Sequence, residues 1–190
     1  MKVKFCGMTN YEDVKASIDL GVDFVGFVFY KKSKRFIDYR QAREIIEKIK
    51  GEVKTVGVFV DESCEEIEEI MNFCGLDYAQ VYKDCLLKRR IRVYRIKDKL
   101  PEKVTDGLLL FDKFTDSIGG SGKSFDFDLI KGFPFKDRLF IAGGISIENV
   151  KLLIDMGVYG VDLVSSVEAY PGKKDFEKMR KFMEFVRSQE

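Results

Sequence analysis

The chain of 190 residues contains no histidine. Proton transfer near neutral pH must therefore fall to other side chains, and thiols or carboxylates placed where strands give way to loops are the natural candidates. The four cysteines, Cys6, Cys64, Cys74 and Cys85, form no C-x-x-C pair; without histidine the usual zinc sites are excluded too, so no metal is expected. No secretory leader precedes Met1-Lys2-Val3-Lys4, and with this cysteine usage a reducing, cytoplasmic setting is expected. Long hydrophobic runs are missing: Phe24-Val25-Gly26-Phe27-Val28-Phe29 is far too short to span a bilayer, so no membrane segment is expected. A net charge of +1 gives no general attraction to nucleic acid or to an anionic membrane, and leaves small anionic ligands open. No linker or low-complexity segment interrupts the chain, and its 45% hydrophobic content can fill the core of one domain over 1–190. Charged residues reach 34% while Asn and Gln are scarce, a balance common in proteins from hot environments.

What is present is a repeat. Asp19-Leu20-Gly21-Val22-Asp23, Phe73-Cys74-Gly75-Leu76-Asp77 and Met156-Gly157-Val158-Tyr159-Gly160 each read as a helix end capped by a left-handed glycine, a docking apolar residue, and a strand. Helical stripes precede them: Ile67, Ile70, Met71 and Cys74 in one case, and Ile147, Val150, Ile154 and Gly157 in another. Ala42, Ile45, Ile46 and Ile49 form a third ahead of Gly51. Thr9-x-x-Glu12 and Ser63-x-x-Glu66 fit the capping box that marks a helix start. Eight short apolar runs, at 2–6, 23–29, 53–59, 76–82, 91–96, 106–111, 138–142 and 160–164, read as strands buried on both faces of a parallel sheet. Strand–helix alternation at this count predicts an α/β chain folded as a compact (β/α)8 TIM barrel, with an open doubly wound sheet as the alternative. The chain is short for a barrel, and the economy falls at 83–105, where helices are expected to be shortened or missing.

In such a barrel the loops after the strands gather at one rim, where active sites of the fold lie. There the sequence puts Cys6-Gly7-Met8-Thr9, Ser33-Lys34-Arg35, Gln80-Val81-Tyr82, Asp112, 119–126, Ala142-Gly143-Gly144-Ile145 and Ser165-Ser166. This set resembles the phosphoribosylanthranilate isomerases of tryptophan synthesis. The resemblance runs over nearly the whole chain, from Lys4-Phe5-Cys6-Gly7 through Gly119-Gly120-Ser121-Gly122-Lys123-x-Phe125-Asp126-Phe127 and Glu148-Asn149-Val150 to Val167-Glu168-x-x-Pro171-Gly172-x-Lys174-Asp175. It implies an Amadori rearrangement of a phosphoribosyl amine to an amino-ketone. Asp126 would be the acid that protonates the ring oxygen and Cys6 the base that removes the C2′ proton. No cofactor is implied, because the imine formed on ring opening is itself the electron sink.

The resemblance further implies that Arg35 holds the anthranilate carboxylate, a planar anion suited to a guanidinium fork. Gln80, Tyr82, Gly120, Gly122, Gly143, Gly144, Ser165 and Ser166 complete the expected substrate contacts. The last four follow the final two strands, where barrels bind phosphate through backbone amides. Gly119-Gly120-Ser121-Gly122-Lys123 lacks Walker A spacing and reads as a loop that covers substrate. Strand alternation turns Lys4 and Cys6 into the barrel if Val3 and Phe5 face the helices, and a buried Lys4 needs a partner such as Asp162. Each residue also has a plainer reading. Cys6 can be a small buried apolar group, Asp126 or Asp128 a helix cap before Leu129-Ile130, and Arg35 part of a solvated run from Lys31. Three departures stand out from the family pattern: Tyr82 where a histidine is usual, Ser166 where a glycine is usual, and Phe127 where tryptophan is common. Two other functions remain open: a related phosphosugar enzyme such as indole-3-glycerol-phosphate synthase, with lysine and glutamate as its acid–base set, and a non-catalytic barrel binding a phosphorylated metabolite. An exposed apolar patch would point to a homodimer.

Overall fold

The computed structural model describes residues 1–49, 51–113 and 126–189. Eight parallel strands close on themselves in sequence order. They are β1 (Lys2–Cys6), β2 (Phe24–Val28), β3 (Lys54–Phe59), β4 (Tyr78–Val81), β5 (Arg90–Ile96), β6 (Leu108–Lys113), β7 (Leu139–Ala142) and β8 (Gly160–Leu163). All eight apolar runs are strands, trimmed or extended by a few residues. The barrel closes where Lys4 of β1 stands level with Asp162 of β8, and the open-sheet alternative is thereby excluded.

Among the described residues five helices cover the barrel: α1 (Tyr11–Asp19), α2 (Tyr39–Lys48), α3 (Cys64–Cys74), α4 (Ile147–Asp155) and α5 (Phe176–Arg187). A hairpin of β9 (Glu168–Tyr170) and β10 (Lys173–Lys174) lies between β8 and α5. The stretches 82–89 and 97–107 contain no helix, as their length requires. The only helical turns between β6 and β7 among the described residues are short 3-10 segments, Phe127–Ile130 and Lys136–Arg138. Gly21, Gly75 and Gly157 all have left-handed φ, which any side chain would strain, and each ends its helix as the repeat predicts.

Two expectations need correction, and the cysteines hold a bond that their spacing does not reveal. The cap of α1 is Asn10, whose side chain accepts from the Asp13 amide at 2.9 Å; Thr9 instead donates its hydroxyl to the Gly172 carbonyl. Ser63 and Glu66 do form the reciprocal capping box. On α4 the buried residues are Val150 and Leu153, with Ile147 and Ile154 only partly covered, so the inward face is rotated from the predicted stripe. The cysteine usage that suggested a reducing setting conceals a disulfide between Cys64 and Cys85. Pairing depends on proximity in space: the bond ties the start of α3 to the helix-free stretch after β4, where no helix anchors the chain. Cys6 and Cys74 are free and buried.

Two apolar layers result. Val3, Phe5, Val25, Phe27, Leu109, Phe111 and Ile141 face outward onto the helices, while Phe24, Val56, Ile91, Val93, Leu110, Phe140 and Ala142 fill the barrel interior. Alternation along β1 therefore sends Lys4 and Cys6 inward, above the Phe24 and Phe140 rings. No helix among the described residues is long and apolar enough to cross a membrane.

Candidate active site

A pocket opens at the C-terminal ends of the strands, above the apolar plug. Cys6, Arg35, Gln80, Tyr82, Asp112, Gly143, Gly144, Asp162, Ser165 and Ser166 line it, with Val28, Val58 and Leu110 among its apolar walls. Eight of the expected site residues are thus brought together. Asp126 is not one of the lining residues; it is exposed and caps the 3-10 turn at Phe127–Ile130, accepting from the Asp128 amide at 2.9 Å. Gly120 and Gly122 lie outside the described residues.

The floor is a buried charge pair. Lys4 Nζ, with no exposed surface, donates to Asp162 Oδ1 at 3.0 Å and to Gln80 Oε1 at 2.9 Å. Burial opposes the ammonium, but Asp162, and next to it Cys6, outweigh that cost and hold Lys4 above the usual lysine range. Gln80 is thereby committed to this floor. Burial pushes the Cys6 thiol up, and the charges of Lys4 and Lys174 offset the rise only in part. Cys6 is 4% exposed, so the only solvent it meets is that of the pocket.

Glycines shape the space around these groups. A Cβ on Gly26 of β2 would stand 2.6 Å from Cys6 Sγ, and one on Gly7 would stand 2.7 Å from Arg35 Cδ. An isolated glycine inside the Phe24–Val28 run is the sequence signal for such close approach. Arg35 is tucked in while Lys31, Lys32 and Lys34 are exposed, so the basic run is not uniformly solvated. Its Nε and Nη2 donate to Glu168 at 2.9 and 2.7 Å, so a carboxylate holds one edge of a guanidinium that lines the pocket.

Gly143 and Gly144 both have left-handed φ. The Asn149 amide fixes their loop by donating to the Gly144 carbonyl at 2.8 Å and accepting from the Ser146 amide at 2.9 Å. Ser165 and Ser166, exposed at the mouth, begin the turn after β8. Asp112, noted in the sequence only as a second carboxylate at the rim, faces the pocket from β6. Burial, reinforced by Asp162, pushes its pKa up to about 6. Burial also raises the Tyr82 hydroxyl well above its ordinary value.

The described residues contain no cluster of three or more potential metal ligands. The pocket brings together a thiol, a raised carboxyl, a guanidinium and a glycine-lined loop after β7, groups suited to an anionic ligand.

Comparison with known proteins agrees. The family model for N-(5′-phosphoribosyl)anthranilate isomerase matches residues 3–185. The enzyme of that name from Pelobacter propionicus is 37% identical, over 98% of this chain and 96% of its own. The crystal structure of phosphoribosyl anthranilate isomerase from Thermus thermophilus superposes with a TM-score of 0.90 at 30% identity, covering both chains completely. Another isomerase structure, in complex with reduced 1-(o-carboxyphenylamino)-1-deoxyribulose 5-phosphate, gives 0.79 at 31% identity over 99% of each chain. Engineered monomers of the dimeric Thermotoga maritima enzyme give 0.81 at 31% identity over 99% of each chain.

Proposed function

The chain belongs to the N-(5′-phosphoribosyl)anthranilate isomerase family, and we propose that it performs the family's rearrangement in tryptophan synthesis with Cys6 as base and Asp126 as acid. The Asp126 carboxyl gives its proton to the ring oxygen as the C1′–O bond breaks and the nitrogen lone pair forms the C1′=N bond. The Cys6 thiolate then takes the C2′ proton; the C–H electrons become the C1′=C2′ bond, and the iminium pair returns to nitrogen. Transfer of the enol proton to C1′ yields the amino-ketone. The imine accepts the electrons, so the reading includes no cofactor.

The observation that carries this reading is the shared pocket of Cys6, Arg35 and the Gly143–Gly144 and Ser165–Ser166 backbone. Arg35 takes the anthranilate carboxylate and the backbone amides take the phosphate, which sets the ribose over Cys6; Tyr82 borders the same space. Asp126 follows directly in sequence on the Gly119–Phe125 segment, and in this reading Gly120 and Gly122 of that segment complete the substrate contacts. Among the described residues the pocket lining contains no glutamate, and Lys4 beneath it is committed to Asp162 and Gln80, which disfavours the indole-3-glycerol-phosphate synthase alternative.

All 190 residues form one catalytic domain in this reading, since strands from both ends of the chain meet at β1 and β8. It places the protein in the cytoplasm as a homodimer, like the dimeric Thermotoga relative.

Loss of phosphoribosylanthranilate fluorescence provides the assay. Cys6→Ser and Asp126→Asn are each expected to lower kcat by at least about a hundredfold, the usual worth of a positioned acid or base, with melting temperature little changed. Arg35→Ala should raise KM. Unchanged rates in both acid–base variants would remove the mechanism. Because burial holds the thiol protonated, kcat/KM is expected to rise with pH above neutrality.

A further inference from the structure

The hairpin after the barrel carries two buried charges that the proton transfers do not use. Glu168 opens β9 and Lys174 ends β10, level with each other across the hairpin, and both are about 95% covered. Lys174 Nζ donates to the carbonyl of Cys6, to that of Val164 at 3.4 Å, and to Glu168 Oε1 at 3.3 Å. Glu168 also receives Arg35 through Nε and Nη2 and the Gly172 amide at 3.2 Å. Burial alone would push the Glu168 carboxyl up, but the Arg35 hydrogen bonds and then Lys174 hold it below the usual range. One carboxylate is thus shared by two cations, one aimed into the pocket and the other fastened to the end of β1.

Buried ion pairs are poor stabilisers, because desolvation consumes most of the attraction and apolar replacements often do as well. The partners of this pair are informative instead: both are groups to which the proposed function gives work. We propose that Glu168 is a positioning residue that fixes the Arg35 guanidinium for the aryl carboxylate and, through Lys174, holds Cys6 at the end of β1 beneath the ribose. The inference rests on the roles proposed above for Arg35 and Cys6. Clamping the Nε–Nη2 edge leaves Arg35 little rotational freedom, so less entropy is lost when substrate binds. Lys174 fixes the backbone that carries the sulfur and favours its thiolate. The other groups facing that sulfur are Lys4 on β1, Asp162 on β8 and Tyr82 after β4.

Steady-state kinetics and a thiolate absorbance titration of the full chain, in a Cys74→Ser background that leaves Cys6 the free thiol, form the test. Glu168→Gln is expected to raise KM about fivefold to tenfold with a smaller change in kcat, and Glu168→Asp to recover part of it. If Glu168 acts through Arg35, adding Glu168→Gln to Arg35→Ala should raise KM no further, whereas a merely structural contribution would multiply. Lys174→Met should lower kcat about tenfold at near-constant KM and move the Cys6 titration to higher pH, with Lys174→Arg restoring most of both. An active wild type whose Glu168→Gln and Lys174→Met variants keep native KM, kcat and thiol titration overturns the positioning role alone. So do multiplicative effects in the double variant. Variants too unstable to assay are replaced in the same comparison by Glu168→Asp and Lys174→Arg. An inactive wild type removes the proposed function, and this inference with it.

Discussion

Replacing Asp112 with asparagine tests the electrostatics of the pocket without reference to turnover. The carboxyl is pushed from 3.8 to about 6 by burial and then by Asp162; its other neighbours are the Lys113 amide, Arg95 on β5 and Lys4 on β1. Its folded-state pKa lies above the unfolded one, so the folded chain is favoured at low pH and loses that advantage as pH rises. Below about pH 3.8 the group is neutral in both states and costs nothing. Between there and about pH 6 the unfolded chain ionises first, and above about pH 6 the full cost is present. That interval, at ~1.4 kcal/mol per pH unit, amounts to about 3 kcal/mol. Residual solvent contact reduces the expectation to between about 1 and 3 kcal/mol. Asparagine keeps the shape and the acceptor for the Lys113 amide but cannot ionise. Urea denaturation of both proteins at about pH 3 and about pH 8 should therefore show the variant gaining 1–3 kcal/mol relative to wild type at the higher pH, to order of magnitude. An equal difference at both pH values would refute the assignment of a destabilised carboxylate to this site.

Gly26→Ala would place a Cβ 2.6 Å from Cys6 Sγ and 3.2 Å from Lys4 Cε. The thiol must rotate, so kcat should fall at least about tenfold while the protein stays folded; native activity would show that the sulfur's present position is immaterial. Removing the Cys64–Cys85 bond opens a loop of sequence separation 21, for which chain entropy predicts a loss of about 3 kcal/mol. Urea melts of the double serine variant and of reduced wild type should coincide, and a wild type indifferent to reductant would contradict the estimate. Lys4→Met strands Asp162 without its cation and should cost about 3–5 kcal/mol; adding Asp162→Leu should recover most of it. Failure of the double variant to recover would show that Gln80 or packing, not charge, dominates the floor.

The barrel was legible because its signals are local. Each strand is a short two-faced apolar run, and each repeat ends in a glycine that only the left-handed cap explains. Alternation along β1 was enough to turn Lys4 and Cys6 inward and to propose Asp162 as partner. What escaped notice depends on partners far along the chain. Arg35 meets Glu168 across 133 residues and Lys174 meets Cys6 across 168, distances over which neither composition nor periodicity carries information. The disulfide escaped for the same reason, since spacing says nothing about where α3 and the stretch after β4 lie. Asn10 displaced Thr9 as a cap because the Thr9 hydroxyl is drawn to Gly172 across 163 residues. Gly26 alone left a local trace that could have been read: a residue without a side chain in the middle of a buried strand has a neighbour that needs its space.

The departure at Tyr82 now has a physical meaning. A histidine here would change charge near neutral pH and would add its own limb to the pH profile. The Tyr82 hydroxyl does not: burial, then Asp112 and Cys6, raise it far beyond working pH, so it remains a neutral donor beside a carboxyl and a thiol that do titrate. The pH dependence of this trio is therefore left to Asp112 and Cys6. Tyr82→Phe should accordingly scale kcat/KM by one factor at every pH, of about tenfold or less for a single neutral hydrogen bond. Tyr82→His should do what phenylalanine does not and bend the profile near neutrality, because the imidazole and Asp112 would then titrate as a coupled pair. A bend produced by phenylalanine, or none produced by histidine, would mean that the hydroxyl is not the silent member of the pocket.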